Sequence, residues 1–386
     1  MTKHIWRLPL ACALTLLLAA CSFGQPTAAG TPVPLATPVP APARTAIPTA
    51  SPTALPSSTP APAATAAPQP LTAGSAPRLR SLRSFVGHSE DVLSLDLSPD
   101  GRWLATGSAD DSVRLWEVAT GRSVAVLQGH TDDVRSVAFS PLGDRLASTS
   151  EDGTVRLWSI PDGAPLVEMS SLLERILLVR YSPDGSLLAL AGNHCFLELR
   201  ESRHGILRRT LSQPGCIDRV GSATSWGLAF VGGPSQLAMG VGRPCCGGSL
   251  YLWDLTGEND PIWVPHSGAQ INDVDASADG TRLAVAANVA AIRLWDPQAR
   301  EVVHTLEGHL YSATSVRFSP DGSLLASGSR DQTVRVWSTT DGSPLVTLEG
   351  HNGVVTSVVF SADGSLLASG SEDDTAVLWG LEEAGP

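Results

Sequence analysis

The chain has 386 residues, and its 38 acidic residues outnumber its 26 Lys and Arg, which gives a formal net charge of −12 at pH 7. Because so acidic a protein is repelled by polyanions, we expect no nucleic-acid partner. The length would suit one large domain or two ordinary ones, but a regular period along most of the chain is the better guide to its architecture.

The N-terminus has the features of an export signal. Lys3, His4 and Arg7 precede an apolar run from Leu8 to Ala20. At thirteen residues this run is too short to span a bilayer. We therefore predict that residues 1–20 are a signal peptide and not part of the fold.

The end of this segment, Leu18-Ala19-Ala20-Cys21, resembles the lipobox of bacterial lipoprotein precursors. In such precursors the cysteine thiol is acylated and becomes the first residue of the mature chain. The resemblance implies that Cys21 carries a lipid anchor and that the exported protein is held at the outer face of the cytoplasmic membrane. Ordinary cleavage after Ala19-Ala20, with a coincidental cysteine, is the alternative.

Residues 21–77 have the composition of a linker. They are rich in Pro, Ala, Thr and Ser, and Arg44 is their one charged residue. Such a segment cannot bury an apolar core and favours extended polyproline II. We predict a disordered spacer between the lipid anchor and a domain that spans residues 78–386.

A 42-residue period then runs to the C-terminus. A tryptophan closes six successive units, and Arg200 stands where the third of seven would be. Every interval is 42 residues except that from Arg200 to Trp253, which is 53. The six tryptophans are Trp116, Trp158, Trp253, Trp295, Trp337 and Trp379.

Each unit has the pattern of four antiparallel strands. In the sixth unit, Val316 and Phe318 alternate with polar residues, as a half-buried strand requires. Pro320-Asp321-Gly322 then predicts a tight hairpin, and two further strands and a fourth follow. Four antiparallel strands per repeat make one blade of a propeller.

Residues 80–380 resemble the WD-repeat propeller family, because Gly-His, Ser-x-Asp and Trp recur in register. The resemblance implies an all-β, seven-bladed propeller of four-stranded antiparallel blades. After Trp379 only seven residues remain, too few for a fourth strand, whereas Leu82 to Val86 precede the first Gly-His as a fourth strand would. The N-terminal strand is therefore expected to complete the last blade and close the ring.

In that family a His, a Ser or Thr, an Asp and a Trp form a hydrogen-bonded tetrad in each blade. Four equivalent tetrads around one ring are expected to be structural, since an active site is single and asymmetric, so we predict no catalytic residue, cofactor or metal. The complete sets implied by the resemblance are His88, Ser108, Asp110, Trp116; His130, Ser150, Asp152, Trp158; His309, Ser329, Asp331, Trp337; and His351, Ser371, Asp373, Trp379.

Blades three to five depart from this pattern. Leu172, His194 and Arg200 replace members of the third tetrad, and Ala287 and Val289 replace members of the fifth. Blade four is also longer by eleven residues, in two insertions that open on the same face of the ring.

Four cysteines gather on that face: Cys216, Cys245 and Cys246 lie in the insertions, and Cys195 lies in the equivalent turn of blade three. In an exported protein they predict two disulfides, with three possible connectivities. A bridge between adjacent cysteines is awkward, so we favour Cys195 and Cys216 each bonded to one of the pair. A zinc site that includes His194 is the alternative.

The predicted function is that of a membrane-anchored, extracytoplasmic scaffold for protein–protein interaction, which is monomeric, meets the membrane only through its lipid and binds a protein partner that the sequence does not identify. A small-ligand or glycan binder is the alternative, with Trp226 and Trp263 as aromatic candidates. A secreted enzyme would need carboxylates that face the channel, and the inward positions are expected to be Val, Leu and Ala. Three arginines, Arg203, Arg208 and Arg209, form a further candidate contact.

Overall fold

A computed structural model of the chain describes residues 69–193, 196–212, 224–243, 247–257, 260–264 and 269–381. These residues form 28 strands, which make seven four-stranded antiparallel sheets. The inner strand of each sheet packs on the inner strand of the next, and the seventh packs on the first. The predicted all-β propeller of seven blades is confirmed. Among the described residues no helix is long and apolar enough to cross a membrane.

The strands are numbered along the chain, and the first, β1 (Leu79–Val86), belongs to the last blade. Blade one contains β2 (Val92–Leu97), β3 (Trp103–Ser108), β4 (Val113–Glu117) and β5 (Ser123–Leu127). Blade two contains β6 (Val134–Phe139), β7 (Arg145–Ser150), β8 (Thr154–Ser159) and β9 (Pro165–Ser170). Blade three contains β10 (Ile176–Tyr181), β11 (Leu187–Gly192), β12 (Phe196–Glu201) and β13 (Leu207–Ser212).

The second half of the ring repeats this order. Blade four contains β14 (Thr224–Phe230), β15 (Gln236–Arg243), β16 (Gly247–Asp254) and β17 (Ile262–Val264). Blade five contains β18 (Ile271–Ala276), β19 (Leu283–Ala287), β20 (Ile292–Asp296) and β21 (Glu301–Leu306). Blade six contains β22 (Ala313–Phe318), β23 (Leu324–Ser329), β24 (Val334–Ser338) and β25 (Pro344–Leu348). Blade seven contains β26 (Val355–Phe360), β27 (Leu367–Ser371) and β28 (Thr375–Leu381), with β1 outermost.

The core lies between neighbouring blades, so the second strand of a blade is covered on both sides. Every residue of β3 and of β23 is buried. Small residues on these strands let the next blade approach: a Cβ added to Gly107 would lie 2.8 Å from a Val134 methyl, and one added to Gly328 would lie 2.6 Å from a Val355 methyl. The repeated Gly therefore sets the spacing of the blades.

The ring closes through β1, as predicted. β1 pairs antiparallel with β28, and the register runs from Leu79 opposite Leu381 to Val86 opposite Thr375. At the inner edge of the closure, the Thr356 hydroxyl donates to the Val92 carbonyl at 2.5 Å. The last blade is thus joined to the N-terminal strand at its outer edge and to blade one at its inner edge.

The packed chain begins before the boundary that we predicted between residues 77 and 78. Leu71 is 2% exposed and Ala76 is fully buried, and both belong to the apolar cluster of blades six and seven. The Leu71 amide donates to the Gly364 carbonyl at 2.8 Å, and a 3₁₀ turn, Ala76–Arg78, leads into β1. Composition placed these residues in the linker, because an isolated Leu and Ala do not reveal that a sheet covers them.

Candidate interaction face

Strand direction alternates within a blade, so its connections divide between two faces of the ring. The turns that enter each blade and those between its second and third strands open on one face, which we call the histidine face. It carries four buried histidines: His88, His130, His309 and His351. The Pro-Asp-Gly hairpins and the turns between third and fourth strands open on the other, which we call the hairpin face.

Each histidine on this face belongs to a buried hydrogen-bonded network, described here in blade one. The two ring nitrogens of His88 lie 2.8 Å from Asp110 Oδ2 and 2.7 Å from Thr106 Oγ1. Trp116 Nε1 donates to the same threonine oxygen at 2.8 Å. The threonine hydroxyl therefore joins the turn, the second strand and the third strand of the blade.

The joining hydroxyl differs from the one that we predicted. Blades two, six and seven repeat the network through Ser148, Ser327 and Ser369. The predicted members are two residues further along: Ser108, Ser150, Ser329 and Ser371. Residues two apart on a strand share a face, so the sequence pattern alone does not separate the two positions.

The predicted serines serve as caps of the neighbouring turn. Ser108 Oγ donates to the Glu90 carbonyl at 3.0 Å and accepts from the Asp110 amide at 3.1 Å. It lies at the last position of β3, where the chain turns toward Asp110. Ser108 thus holds the loop that presents the aspartate, and Thr106 makes the bond to the histidine.

These networks resemble a catalytic triad in composition, but their burial makes them inaccessible to a substrate. Ser148, Ser327 and Ser369 are 0% exposed. Burial outweighs the neighbouring aspartate and lowers the pKa of His88, His130 and His309. A neutral histidine can donate to the carboxylate from one nitrogen and accept from the hydroxyl at the other. The hydroxyl is bonded on both sides, which is the arrangement of a structural strut.

Blade three has a different buried network. Arg200 Nε donates to Glu198 Oε2 at 2.7 Å, and the other carboxylate oxygen accepts from the Leu172 amide at 2.7 Å. The guanidinium also donates to the carbonyls of Gly205 and Ser170, at 2.9 and 3.0 Å. Leu172 and Arg200, which replace two members of the common tetrad, thus belong to one ion-pair network whose hydrogen bonds are satisfied.

We did not predict that Glu198 forms an ion pair with Arg200, although the sequence indicates it. Blades one, two, five and six have an arginine in the same register: Arg114, Arg156, Arg293 and Arg335. Blade three reverses this charge and, two residues later, replaces Trp by Arg. The two changes are complementary, and together they predict a buried ion pair.

The inner strands correct the expectation that the axis is lined by Val, Leu and Ala. Carboxylates from blades one and five and arginines from blades three and six lie around the axis: Asp96, Asp273, Asp275, Arg180 and Arg317. Asp96 accepts from the Phe139 amide at 2.7 Å, and Asp275 accepts from the Phe318 amide at 2.8 Å. An inner strand is a sheet edge, so its outward amides have no ladder partner. These carboxylates satisfy the edge of the next blade.

The axial carboxylates are not available as solvent-exposed catalytic groups. Asp273 accepts from Arg317 Nη1 at 2.7 Å and from the Val316 amide at 3.1 Å. Burial raises the pKa of Asp96 to about 6, despite the Phe139 amide and Arg180. Carboxylates therefore do face the axis, contrary to our expectation, and they are engaged in holding one blade to the next.

The acidic side chains of the histidine face cluster on blades seven, one and two. We call them the acidic arc: Glu90, Asp91, Asp111, Asp132, Asp133, Glu372 and Asp374. Oxygens of Asp111, Asp132 and Asp133 lie within 4.8 Å of one another. Exposed carboxylates also cluster without a metal, so this spacing alone assigns no ion.

Charges of like sign perturb one another across the acidic arc. Burial, with Asp132 and Asp133, raises the pKa of Asp111. Burial, with Asp374 and Asp133, likewise raises the pKa of Asp91. Arg135 relieves part of this repulsion, with Nη1 at 3.6 Å from Asp133 Oδ2. A cationic group that approaches the arc therefore lowers its electrostatic free energy.

Exposed apolar side chains lie on the same face, on blade six, which neighbours blade seven of the acidic arc. The turn into blade six presents Leu310, which is 79% exposed, and Tyr311, which is 63% exposed. Large apolar side chains with this exposure beside a charged surface are typical of protein contact sites.

Comparison with known proteins supports this reading of the repeat. Four segments match the WD40 family of WD domain, G-beta repeats: residues 79–117, 121–159, 300–338 and 342–380. The chain contains WD40 repeats. The four matched segments each include the Trp of one complete His, Thr or Ser, Asp and Trp network, so the sequence match and the hydrogen bonds agree.

Individual relatives share about one WD40 repeat with this chain. The ribosome biogenesis protein ERB1 of Debaryomyces hansenii is 56% identical over 46 residues, which are 12% of this chain and 6% of that protein. The human ribosome biogenesis protein BOP1 is 50% identical over 56 residues, which are 12% of this chain and 8% of that protein. The chain thus matches only a small part of the length of these relatives.

The remaining predicted sites are scattered or lie outside the described residues. Cys21 and the four cysteines Cys195, Cys216, Cys245 and Cys246 are outside them, as is His194. Trp226 lies in β14 and Trp263 in β17. Of the arginines, Arg203 lies in the turn between β12 and β13, and Arg208 and Arg209 lie on β13, away from the histidine face of the WD40 repeats.

Proposed function

We propose that this protein is a non-catalytic scaffold whose WD40 propeller binds a basic protein partner through the acidic arc. The supporting observation is the crowding of carboxylates on the histidine face, where oxygens of Asp111, Asp132 and Asp133 lie within 4.8 Å of one another. Burial and, after it, like charges raise the pKa of Asp91 and Asp111. A Lys- or Arg-rich segment would relieve this repulsion, and Leu310 and Tyr311 supply adjacent apolar contact area.

A binding role fits the chemistry of the site better than a catalytic one. The hydroxyls nearest to histidines are buried and bonded on two sides, as at Ser327. The axial carboxylates bond the amides of the next blade. Ribosome biogenesis is the role that the relatives' names give to those proteins, and a match of one repeat does not extend it to this chain.

We further propose that the scaffold is exported and anchored by a lipid on Cys21, with residues 21–68 as its spacer. The support is the sequence pattern that ends in Leu18-Ala19-Ala20-Cys21. Metabolic labelling with a fatty acid in a bacterial host, followed by membrane fractionation, tests this proposal. Cys21→Ala should lose the label and leave the membrane fraction, and a labelled or membrane-bound variant would contradict the lipid anchor.

The partner chemistry is tested with a defined lysine- and arginine-rich peptide and the purified full chain. Asp111→Asn, Asp132→Asn and Asp133→Asn together should weaken binding by about fivefold or more, since each exposed charge contributes a few tenths of a kcal/mol or more and the three act together. Binding should also weaken as salt rises. Asparagine suits position 111, where φ is 63°.

A matched variant removes the same number of charges from the hairpin face: Asp144→Asn, Asp162→Asn and Glu301→Gln. This variant should bind the basic peptide as the unaltered chain does. Equal weakening by both variants would mean that only net charge matters, and it would remove the acidic arc as the site.

A further inference from the structure

A second site lies on the hairpin face, between blades two and three, and it is separate from the proposed function. A cavity of about 480 Å³ opens there. Its lining comes from the hairpins after β6 and after β10, from Tyr181 at the end of β10, from the turn between β12 and β13, and from Arg208 on β13.

Tyr181 has a buried hydroxyl that lacks a hydrogen-bond partner in the described part of the chain. The other repeats provide an internal comparison at this position. Four blades have phenylalanine there: Phe139, Phe230, Phe318 and Phe360. Phenylalanine fills the position without a polar atom, so the tyrosine adds only a hydroxyl that is costly to bury unpaired.

Burial raises the pKa of Tyr181 well above its ordinary value, so the hydroxyl keeps its proton and can donate. Arg145 and Asp144 lie near enough to perturb it, yet neither bonds to it. A ligand in the cavity that brings an acceptor oxygen would satisfy this donor.

The acceptors of the cavity are already engaged. Glu201 accepts from the amides of Arg203 and His204, at 2.9 and 2.8 Å. Asp184 accepts from the Ser182 hydroxyl at 2.6 Å and also from Ser186. The carboxylates therefore hold the turns in shape and have little capacity left for a ligand.

The donors of the cavity, in contrast, are not engaged. The guanidinium groups of Arg203 and Arg208 have no hydrogen bond or ion pair to any described residue, and both residues are exposed. Arg145 Nη1 donates to the Arg203 carbonyl at 3.2 Å, which holds that turn against the hairpin of blade two. The free donors of the cavity are thus the Tyr181 hydroxyl and the guanidinium groups of Arg203 and Arg208. Asp144, the third carboxylate of the lining, accepts from the Ser140 hydroxyl at 2.8 Å.

We propose that this cavity binds an oxyanion, a phosphoryl or carboxylate group, through the Tyr181 hydroxyl and the guanidinium groups of Arg203 and Arg208. Charge-assisted hydrogen bonds to such an anion are short and strong, and arginine matches its paired oxygens. Arg209 takes no part, because its Nη1 donates to the Gly257 carbonyl of blade four at 2.7 Å.

The test compares the purified full chain with Tyr181→Phe and Arg208→Ala, in inorganic phosphate, succinate or chloride at equal ionic strength. Phosphate, succinate or both should bind saturably in calorimetry and raise the melting temperature above that in chloride. Each variant should weaken this binding by at least about tenfold, as expected for loss of a hydrogen bond to a charged group. Arg122→Ala, at an exposed arginine of blade one, is the control and should bind as the unaltered chain does.

The substitution Tyr181→Phe also separates a ligand site from a structural hydroxyl. In chloride alone the variant should melt at the same temperature or higher, because it removes an unpaired buried group. A lower melting temperature would mean that the hydroxyl has a partner in the protein, and it would overturn the proposal. Binding of neither anion, or equal binding by both variants, would overturn it as well.

Discussion

Two hydroxyls on one strand have different roles in these blades. In blade six, Ser327 joins His309 to Trp337, with bonds of 2.8 Å on each side. Ser329, two residues later, accepts from the Asp331 amide at 3.0 Å and caps the turn. Both serines are fully buried, so their partners distinguish them and their exposure does not.

We expect Ser327→Ala to destabilise the protein more than Ser329→Ala. The first change leaves two buried nitrogen atoms without partners, His309 Nε2 and Trp337 Nε1, and should cost roughly 2–4 kcal/mol, whereas the second should cost about 1 kcal/mol. Urea denaturation of both variants gives the comparison. A larger loss at Ser329 would restore the serine that the sequence pattern favoured.

The titratable groups of the blades predict a fall in stability from pH 7 to pH 5. Burial lowers the pKa of His88, His130 and His309 below the unfolded value of 6.5, so the unfolded chain binds more protons as the pH falls. Asp331 extends the loss to lower pH, because hydrogen bonds from Thr333 and Leu310 outweigh burial and lower its pKa to about 2.

Asp96 changes the stability of the protein with pH in the opposite direction to the histidines. Its pKa of about 6 lies above the unfolded value of 3.8, so its contribution favours the folded protein at acid pH and is lost as the pH rises through 6. Asp96→Asn should therefore steepen the fall in unfolding free energy between pH 6 and pH 4. Urea denaturation at several pH values measures both slopes. Equal slopes for the two proteins would show that Asp96 titrates normally.

At the scale of the element, blade three shows how a third strand can keep its place without the common network. Glu198 and Arg200 alternate with buried Leu197 and Leu199 on β12. The ion pair ties this strand to the Ser170 and Gly205 carbonyls and to the Leu172 amide, and so to the ends of its blade. The ion pair thus connects the turn into the blade with the third strand, as the histidine and tryptophan do in the other blades.

Removing one member of this ion pair should lower the free energy of unfolding more than removing both members. Glu198→Leu alone leaves a buried guanidinium uncompensated and should cost about 3–5 kcal/mol, whereas adding Arg200→Leu should recover part of that loss. A double-mutant cycle by urea denaturation measures the coupling. Additive losses would mean that the two side chains act independently.

At the scale of the whole molecule, the ring depends on residues that precede its first repeat. β1 supplies the outer strand of blade seven, and Leu71 and Ala76 cover the cluster between blades six and seven. β1 therefore covers the edge of β28 and gives blade seven the same four strands as the other blades.

Three N-terminal truncations separate these contributions. A chain that starts at residue 69 should melt like the full chain, because all described packing is kept. A start at residue 79 removes Leu71 and Ala76 and should cost about 2–3 kcal/mol of apolar burial. A start at residue 87 removes β1, exposes the edge of β28 and should give an aggregating or open ring. Calorimetry and size-exclusion chromatography distinguish the three, and equal melting of the first two would show that residues 69–78 add no stability.

The sequence by itself determined the architecture, because each blade of a propeller is specified by residues that are close together in the chain. The Pro-Asp-Gly turns, the alternation on β22 and the 42-residue spacing of tryptophans each act within one blade, and their sum predicts seven blades and a closing N-terminal strand. The sequence did not show which hydroxyl of the second strand bonds to the histidine and the tryptophan. Thr106 and Ser108 share a face of β3 and differ only in the groups that lie opposite them.

Only the tertiary structure decided which side chains meet across blades and along the axis. Asp96 and Phe139 are 43 residues apart and bond because neighbouring inner strands stand side by side at the axis. The acidic arc gathers residues from the first and last blades, which are distant in the chain and adjacent only in a closed ring. Periodicity specifies each blade, and the packing of blade on blade determines which charges and hydroxyls share a site.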